Sequence, residues 1–126
     1  MLWATRAGGT SEDYVYGVAI DSAGASYVTG YFNGTATFGL GEPQATTLTS
    51  AGYTDIFVAK YDSSGALVWA RRAGGTDDDE SFGIAVDGSG NSYVTGFFFD
   101  TATFGLGEAN ETMLTSAAGR DIFVAK

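Results

Sequence analysis

The chain contains the same stretch of sequence twice. Residues 1–60 and 67–126 align without a gap, and well over half of the aligned positions are identical. The longest identical stretches are Tyr27–Gly30 with Tyr93–Gly96, Thr35–Glu42 with Thr101–Glu108, and Asp55–Lys60 with Asp121–Lys126. A supersecondary unit repeated in tandem buries its faces against its neighbours, because one unit alone has too little core. The repeat therefore predicts two like units, residues 1–66 and 67–126, in one modular assembly.

Composition excludes several classes of function. The chain carries 6 basic and 15 acidic residues, for a net charge of -9. Nucleic acids and anionic membrane surfaces recruit clustered Lys and Arg, so we predict neither as a partner. No apolar run is long enough for a membrane-spanning helix, which argues against membrane insertion. The absence of Cys and His removes thiol nucleophiles, zinc sites with Cys or His ligands, and His-based catalytic triads.

The local pattern predicts an all-β fold. Short runs rich in Val, Ile, Tyr, Phe and Thr are bounded by Gly, Asp, Asn and Ser, which indicates strands and tight turns. The predicted strands, each given with its copy, are Tyr14–Asp21 and Ser81–Asp87, Ser26–Phe32 and Ser92–Phe98, Asp55–Tyr61 and Asp121–Lys126, and Leu67–Arg72 and Met1–Arg6. Three connections start with Asp and reach Gly three residues later, which is typical of hairpin turns. Each unit is therefore a four-stranded antiparallel meander.

A longer stretch separates the second and third predicted strands. It covers Asn33–Thr54 in the first repeat and Phe99–Arg120 in the second. Alternating residues within it predict an extra hairpin, with its tip at Leu40–Ala45 or Leu106–Glu111. The only proline, Pro43, lies in that tip, where a missing backbone donor costs little.

Two strings of residues resemble a known family. Gly83–Gly96 (GIAVDGSGNSYVTG) and Asp55–Ala70 (DIFVAKYDSSGALVWA) are similar to the bacterial SBBP β-propeller repeat. The resemblance covers nearly the whole chain and implies propeller blades. It also implies export to the extracellular space or the cell surface, although no signal peptide is visible at the N-terminus. The family brings no shared catalytic motif, so no catalytic residue is implied.

Two blades cannot close a ring, since propellers have four to eight. Residues 1–126 are thus predicted to form a two-blade unit whose ring is closed by oligomerisation, with three or four chains per ring. Strand Met1–Arg6 is expected to have no partner within its own chain, and Asp121–Lys126 to end an incomplete blade. We therefore expect the first segment of one subunit to complete the last blade of its neighbour, in a head-to-tail contact. The predicted assembly residues are Met1, Leu2, Trp3, Ala4, Asp121, Ile122, Phe123 and Val124.

The sequence contains few candidates for metal-binding or catalytic residues. The acidic run Asp77, Asp78, Asp79 and Glu80 is a candidate calcium site, because carboxylates are ligands that calcium prefers. The competing interpretation is a solvated loop between blades, since the first repeat has Ser11-Glu12-Asp13 there and no calcium-loop pattern is matched. No other cofactor is predicted. Catalysis would depend on carboxylates alone, and near-identical repeats argue against an enzyme.

These observations predict a non-enzymatic structural protein that assembles with itself into a ring, tube or filament. Two alternatives remain open at this point. One is a multivalent, lectin-like binding module with a glycan or protein ligand between blades. The other is a fragment of a large surface or adhesion protein.

Overall fold

The computed structural model describes all residues, Met1–Lys126, and contains eight strands and no helix. The strands are β1 (Gly8–Gly9), β2 (Asp13–Ile20), β3 (Ser26–Phe38), β4 (Thr46–Tyr61), β5 (Leu67–Gly75), β6 (Glu80–Val86), β7 (Ser92–Phe104) and β8 (Thr112–Ala125). All strand pairs are antiparallel and join into one curled sheet. No helix long and apolar enough to cross a membrane is present. The prediction of an all-β chain is confirmed.

Two meanders form the sheet. In the first blade, β2 pairs with β3, β3 with β4 and β4 with β5. In the second blade, β6 pairs with β7 and β7 with β8, and no other strand of residues 1–126 pairs with β8. The predicted order of strands is thus confirmed in each repeat.

The hairpin turns form as the Asp and Gly positions predict. Asp87 accepts hydrogen bonds from the backbone N–H groups of Ser89 and Asn91, each at 2.9 Å. Gly90 completes the turn with a φ of 80°, which is favourable only for glycine. Hydrogen bonds from the Asn91 side chain and backbone lower the pKa of Asp87 to about 2. Asp21 and Asp62 cap their turns in the same way.

The extra hairpin is a continuation of β3 and β4 rather than a separate pair of strands. We predicted that the second and third strands end at Phe32 and begin at Asp55, and these boundaries are wrong. Both strands continue through a bulge, where Asn33 pairs with Thr54 but Thr35 pairs with Thr49. Gly34 takes a φ of 71° at this bulge and its copy Asp100 a φ of 49°. The sequence signals for a strand end were in fact signals for this bulge.

The extended hairpin folds over the apolar face of its own blade. Phe38 in the hairpin packs against Phe57 in β4 with 5.1 Å between ring centroids. At the tip, Glu42 Oε2 accepts a hydrogen bond of 2.6 Å from the backbone N–H of Leu67 in β5. The core of the first blade lies beneath the hairpin and consists of Phe32, Ala36, Phe38, Phe57, Ala59, Tyr61, Leu67 and Ala70.

The last residues of β5 join the two blades. Gly74 and Gly75 pair with Thr103 and Ala102 of β7, so the outer strand of one blade ends on the hairpin of the next. A Cβ on Gly75 would lie 1.9 Å from the carbonyl oxygen of Thr101, which only glycine avoids. The first repeat has the same contact between Gly8–Gly9 and β3.

Packing between the blades is apolar with one buried polar link. Ile56 of the first blade inserts among Val94, Phe98 and Phe123 of the second. Beside it, the hydroxyl oxygens of Thr29 and Ser81 lie 2.6 Å apart, and Ser81 also donates to the carbonyl oxygen of Gly30 at 2.8 Å. Each buried hydroxyl thus has a partner, which buried polar groups require.

Met1–Arg6 forms no strand in this structure, and all six residues are exposed. Trp3 lies against Gly65 in the β4–β5 turn, where a Cβ would come within 2.6 Å of the indole ring. The predicted strand Met1–Arg6 is therefore wrong for the single chain, in which no strand pairs with these residues. A strand without a neighbouring edge has no ladder of hydrogen bonds to hold it extended.

Candidate functional site

A large groove lies between the outer strands of the first blade and the hairpin of the second. Its volume is about 980 Å³. One wall contains Ile56, Val58 and Trp69 of the first blade, and the other contains Phe104 and Phe123 of the second. The groove is therefore lined mainly by apolar residues, with Arg71, Arg72 and Glu108 among its polar ones, and lies where the second blade lacks a strand.

The first blade shows what fills the equivalent space there. By the alignment of the repeats, Phe104, Gly105, Glu108, Phe123 and Ala125 of the groove correspond to Phe38, Gly39, Glu42, Phe57 and Ala59. In the first blade those five positions lie against β5, mainly through Leu67 and Ala70. The groove of the second blade is thus the space of an outer fourth strand.

The glutamate at the hairpin tip has a different partner in each blade, because only the first blade has a fourth strand. Glu42 accepts the backbone N–H of Leu67, whereas Glu108 has no fourth strand to contact. It instead pairs with Arg71 of the first blade, with 3.1 Å between Nε and Oε1. Both side chains of this pair are largely exposed, so the pair contributes little to stability.

Strand β8 presents an unpaired edge beside the groove. Its only partner is β7, so one row of its backbone N–H and C=O groups has no ladder partner. Ile122 is 85% exposed and Val124 is 72% exposed, whereas Ile56, the copy of Ile122, is 1% exposed. An open, apolar edge of this kind is a template for another strand.

A buried acidic junction connects the two blades on the far side of Ile56. Asp55 and Asp79 are both fully buried, and they flank Gly74, where a Cβ would lie 2.9 Å from Asp55 Cγ and 3.0 Å from Asp79 Oδ2. Arg72 donates to Asp55 Oδ2. Asp79 accepts from the backbone N–H groups of Gly75 at 2.6 Å and Phe99 at 3.2 Å. Asp55 Oδ1 has no partner.

Burial dominates the electrostatics of this junction. It raises the pKa of Asp55 even though Arg72 and the N–H of Ala51 act in the opposite direction. Burial also raises the pKa of Asp79 to about 6, and repulsion from Asp55 and Asp77 adds to the effect. The junction therefore holds two carboxylates whose ionised forms are both disfavoured.

We expect the free energy of unfolding to decrease as the pH rises from about 5 to 7. The folded chain binds the Asp79 proton more tightly than the unfolded chain, where the pKa is about 3.9. The resulting stabilisation is complete below about pH 4 and is lost as the pH rises through about 6. Below pH 4 the turn carboxylates, with pKa values lowered by their hydrogen bonds, reverse the slope. Urea unfolding across this range measures it.

Two Asn variants make the test specific. Asp79→Asn is expected to reduce the slope between pH 5 and 7, whatever its effect on absolute stability, and the remaining slope comes from Asp55 and Glu80, whose pKa values burial also raises. Asp13→Asn changes the equivalent position of the first repeat, which lacks a preceding blade and is only partly buried, and should leave the slope in place. Equal slopes in all three proteins would contradict the role given to Asp79.

The structure separates the predicted site residues into groups. Among the predicted assembly residues, Met1, Leu2, Trp3 and Ala4 lie in the exposed N-terminal segment, and Ile122 and Val124 line the edge of β8. Phe123 is buried in the second core. Asp121 accepts the backbone N–H of Ala117 at 3.0 Å, so it shapes the bulge of β8 as Asp55 does in β4.

The calcium candidates do not converge. Asp79 is buried and occupied by backbone donors, while Asp78 is exposed and accepts from the Thr54 hydroxyl at 3.0 Å. Asp77 and Glu80 are partly buried, and no group of three or more carboxylates has the geometry of a metal site. Calcium binding therefore stays a prediction from the sequence.

Sequence reasoning identified the edge of β8 but not the walls of the groove. Phe104, Gly105 and Glu108 were interpreted only as a hairpin, because nothing in the sequence indicates that it folds over its own blade. The pair of Arg72 with Asp55 was also missed. A signal for it exists, since both residues recur as Arg6 and Asp121.

The antiparallel meanders, with four strands in the first repeat and three in the second, are joined by the last residues of an outer strand, as is typical of propeller blades. A model of the SBBP β-propeller repeat matches residues 2–35 and 68–96, which together make up half of the chain. The chain therefore belongs to this β-propeller repeat family, as the resemblance predicted.

A relative described as a WD repeat-containing protein extends the likeness to almost the whole chain. Over 130 aligned residues, the chain is 28% identical to an uncharacterised WD repeat-containing protein of Acanthamoeba polyphaga mimivirus. The alignment covers 99% of this chain but only 9% of that protein. WD repeats are also propeller blades, so this relative and the family agree on the class of protein.

Proposed function

We propose that this chain is a non-enzymatic, self-assembling propeller subunit, in which Met1–Arg6 of one copy occupies the groove of the next. The observation that carries the proposal is the groove itself. It has the walls of a fourth-strand site, as in the first blade, and no strand in it.

The N-terminal segment has the side chains that the groove requires. Aligned with β5, Met1 takes the position of Leu67, Trp3 that of Trp69 and Ala4 that of Ala70. Leu67 and Ala70 are the β5 residues in the first core. The occupant thus offers apolar groups of similar size at both positions, which packed cores tolerate best.

The charges also match. Arg6 is the copy of Arg72, and Asp121 is the copy of Asp55. In the first blade those residues form the buried ion pair. A second copy bound in the groove would place its Arg6 beside Asp121, which in the single chain has only a backbone donor.

The two sheet faces beside this contact, on β2 and on β8, both carry exposed apolar side chains that could pack together. Val18 and Ile20 of β2 are exposed, whereas their copies Ile84 and Val86 are partly buried beside the first blade. A neighbour bound head to tail would cover them with its own exposed Ile122 and Val124. Contacts of this heterologous kind close a ring when the rotation permits and continue as a filament otherwise. Three chains would supply six blades and four would supply eight.

One position requires the junction between subunits to differ from the junction within the chain. A Cβ on Gly52 would lie 1.9 Å from the carbonyl oxygen of Thr76. The copy of Gly52 is Ala118, which carries that Cβ, and the copy of Thr76 is Thr10. The exposed bulge containing Ala118 must therefore shift outward where two subunits meet.

Native mass measured by light scattering tests the proposal. We expect the full chain to form species of several 13.0 kDa subunits, and deletion of residues 1–6 to leave a single folded chain. A matched control is the double variant Leu2→Val and Thr5→Arg, which makes this segment more like β5 and should assemble normally. A full chain of 13.0 kDa, or a deletion variant that keeps the mass of the assembly, would rule the proposal out.

A further inference from the structure

A second, smaller pocket lies at the end of the inner strands, away from the groove. Its volume is about 390 Å³. It is lined by the rings of Tyr31 and Tyr53, the carboxylates of Glu12 and Asp78, and the polar side chains of Ser11, Asn33 and Thr54. All of these lining residues belong to a single chain.

The second repeat shows what occupies the equivalent place there. The copy of Tyr31 is Phe97, the copy of Asn33 is Phe99 and the copy of Thr54 is Arg120. The Arg120 guanidinium carbon lies 4.2 Å from the ring centroid of Phe97 and 5.4 Å from that of Phe99. Both distances are within the range of cation–π attraction. The second repeat thus covers its own aromatic surface with a cation.

One aromatic contact of this ring recurs in both repeats. Phe97 rests against Phe82 with 5.6 Å between centroids, and Tyr31 rests against Tyr16, the copy of Phe82, with 5.7 Å between centroids. Tyr31 also lies 5.1 Å from the ring of Tyr14, whose copy is Glu80, so the first repeat adds an aromatic neighbour at this place. What the first repeat lacks is the cation, because Thr54 is too short to reach over the ring.

Carboxylates make the pocket of the first repeat more favourable for a cation than its copy. Thr54 donates to Asp78 Oδ1 at 3.0 Å, which leaves Oδ2 of the same carboxylate available. Glu12 is exposed at the pocket rim and has no ion-pair partner. The net charge of -9 adds a long-range attraction for cations.

We propose that this pocket binds a guanidinium group, held over the Tyr31 ring and paired with Asp78 and Glu12. A guanidinium ion suits it because the planar cation stacks on aromatic faces and donates to carboxylates at its edges. The group could come from a small guanidinium compound or from an arginine side chain of a peptide. Both sources share this chemistry.

The probe is N-acetyl-arginine-methylamide, titrated into the full-length protein while the tyrosine ring signals are followed by NMR. We expect saturable shifts with a dissociation constant on the order of millimolar, since an exposed cation–π contact and an exposed ion pair are both weak interactions. The citrulline analogue has the same shape without the charge and should not bind. Equal binding of the two analogues would overturn the proposal.

Variants of the pocket complete the test. Thr54→Arg copies the second repeat and should abolish binding, because the chain then supplies its own cation. Asp78→Asn should weaken binding about fivefold, and Asp100→Asn, on the surface of the second repeat, should have no effect. An unchanged affinity in Thr54→Arg would locate binding elsewhere and overturn the proposal. Tighter binding of an Arg-containing tripeptide than of the single residue would indicate a peptide source, and equal binding a small molecule.

Discussion

Replacing Arg72 with Ala is expected to lower the free energy of unfolding by about 3–5 kcal/mol. Asp55 is fully buried, and Arg72 is its only cationic partner. The variant would leave an unpaired carboxylate in the core between the blades, with Oδ1 already lacking a donor. Removing one partner of a buried pair costs far more than the pair itself contributes.

The neighbouring residue provides the matched control. Arg71 pairs with Glu108, but both side chains are largely exposed, so Arg71→Ala is expected to cost about 1 kcal/mol or less. Chemical denaturation of the two variants measures the difference. Similar losses in both would show that the buried junction is not the stronger interaction.

The loss in Arg72→Ala should depend on pH. Burial already raises the pKa of Asp55 against the effect of Arg72, and removal of the guanidinium raises it further. A raised pKa in the folded state stabilises at low pH, and that stabilisation is lost as the pH rises through the raised value. The variant can therefore neutralise Asp55 by protonation at pH 5, and its deficit should be greater at pH 8. A deficit independent of pH would mean that Asp55 does not carry the charge assigned to it.

The repetition of the sequence made most of the fold predictable. A turn such as Asp87–Gly90 depends on local hydrogen bonds and a positive φ, so its residues identify it without any knowledge of distant contacts. Strand order follows from the short turns. The boundaries at Phe32 and Asp55 were not predictable in this way. They depend on a bulge that keeps two strands paired across residues that locally favour a loop.

The candidate site was predictable only in part. Comparison of the repeats shows which strand the second blade lacks, and this locates the open edge at Asp121–Val124. The depth of the groove depends on the hairpin folding over its own blade, as the contact between Phe104 and Phe123 shows. That contact joins residues far apart in sequence, and no local pattern signals it.

A pair of identical substitutions at equivalent positions gives the second large effect. Ile56→Ala is expected to lower the free energy of unfolding by about 2–5 kcal/mol, the range for truncating a fully buried aliphatic side chain. Ile56 is 1% exposed and packs among Val94, Phe98 and Phe123. In a single chain, Ile122→Ala should cost under about 0.5 kcal/mol, because a surface substitution removes few contacts and Ile122 is 85% exposed.

Assembly changes the expectation for Ile122 but not for Ile56. If the proposed head-to-tail contact forms, Ile122 meets the first blade of a neighbour as Ile56 meets the second blade of its own chain. Ile122→Ala should then weaken association by about tenfold or more for each contact, since each 1.4 kcal/mol is a factor of ten. Its thermal midpoint should fall with dilution more steeply than that of the unmodified protein, because the stability of an assembly depends on subunit concentration.

The measurements are unfolding curves and native mass over a range of protein concentrations for the two variants. An Ile122→Ala protein that associates normally would show that the assembly does not use the edge of β8. An Ile56→Ala protein with unchanged stability would contradict the packing between the blades themselves. The two residues are identical in type and in local sequence. Any difference between the variants therefore reports only on what lies against each side chain.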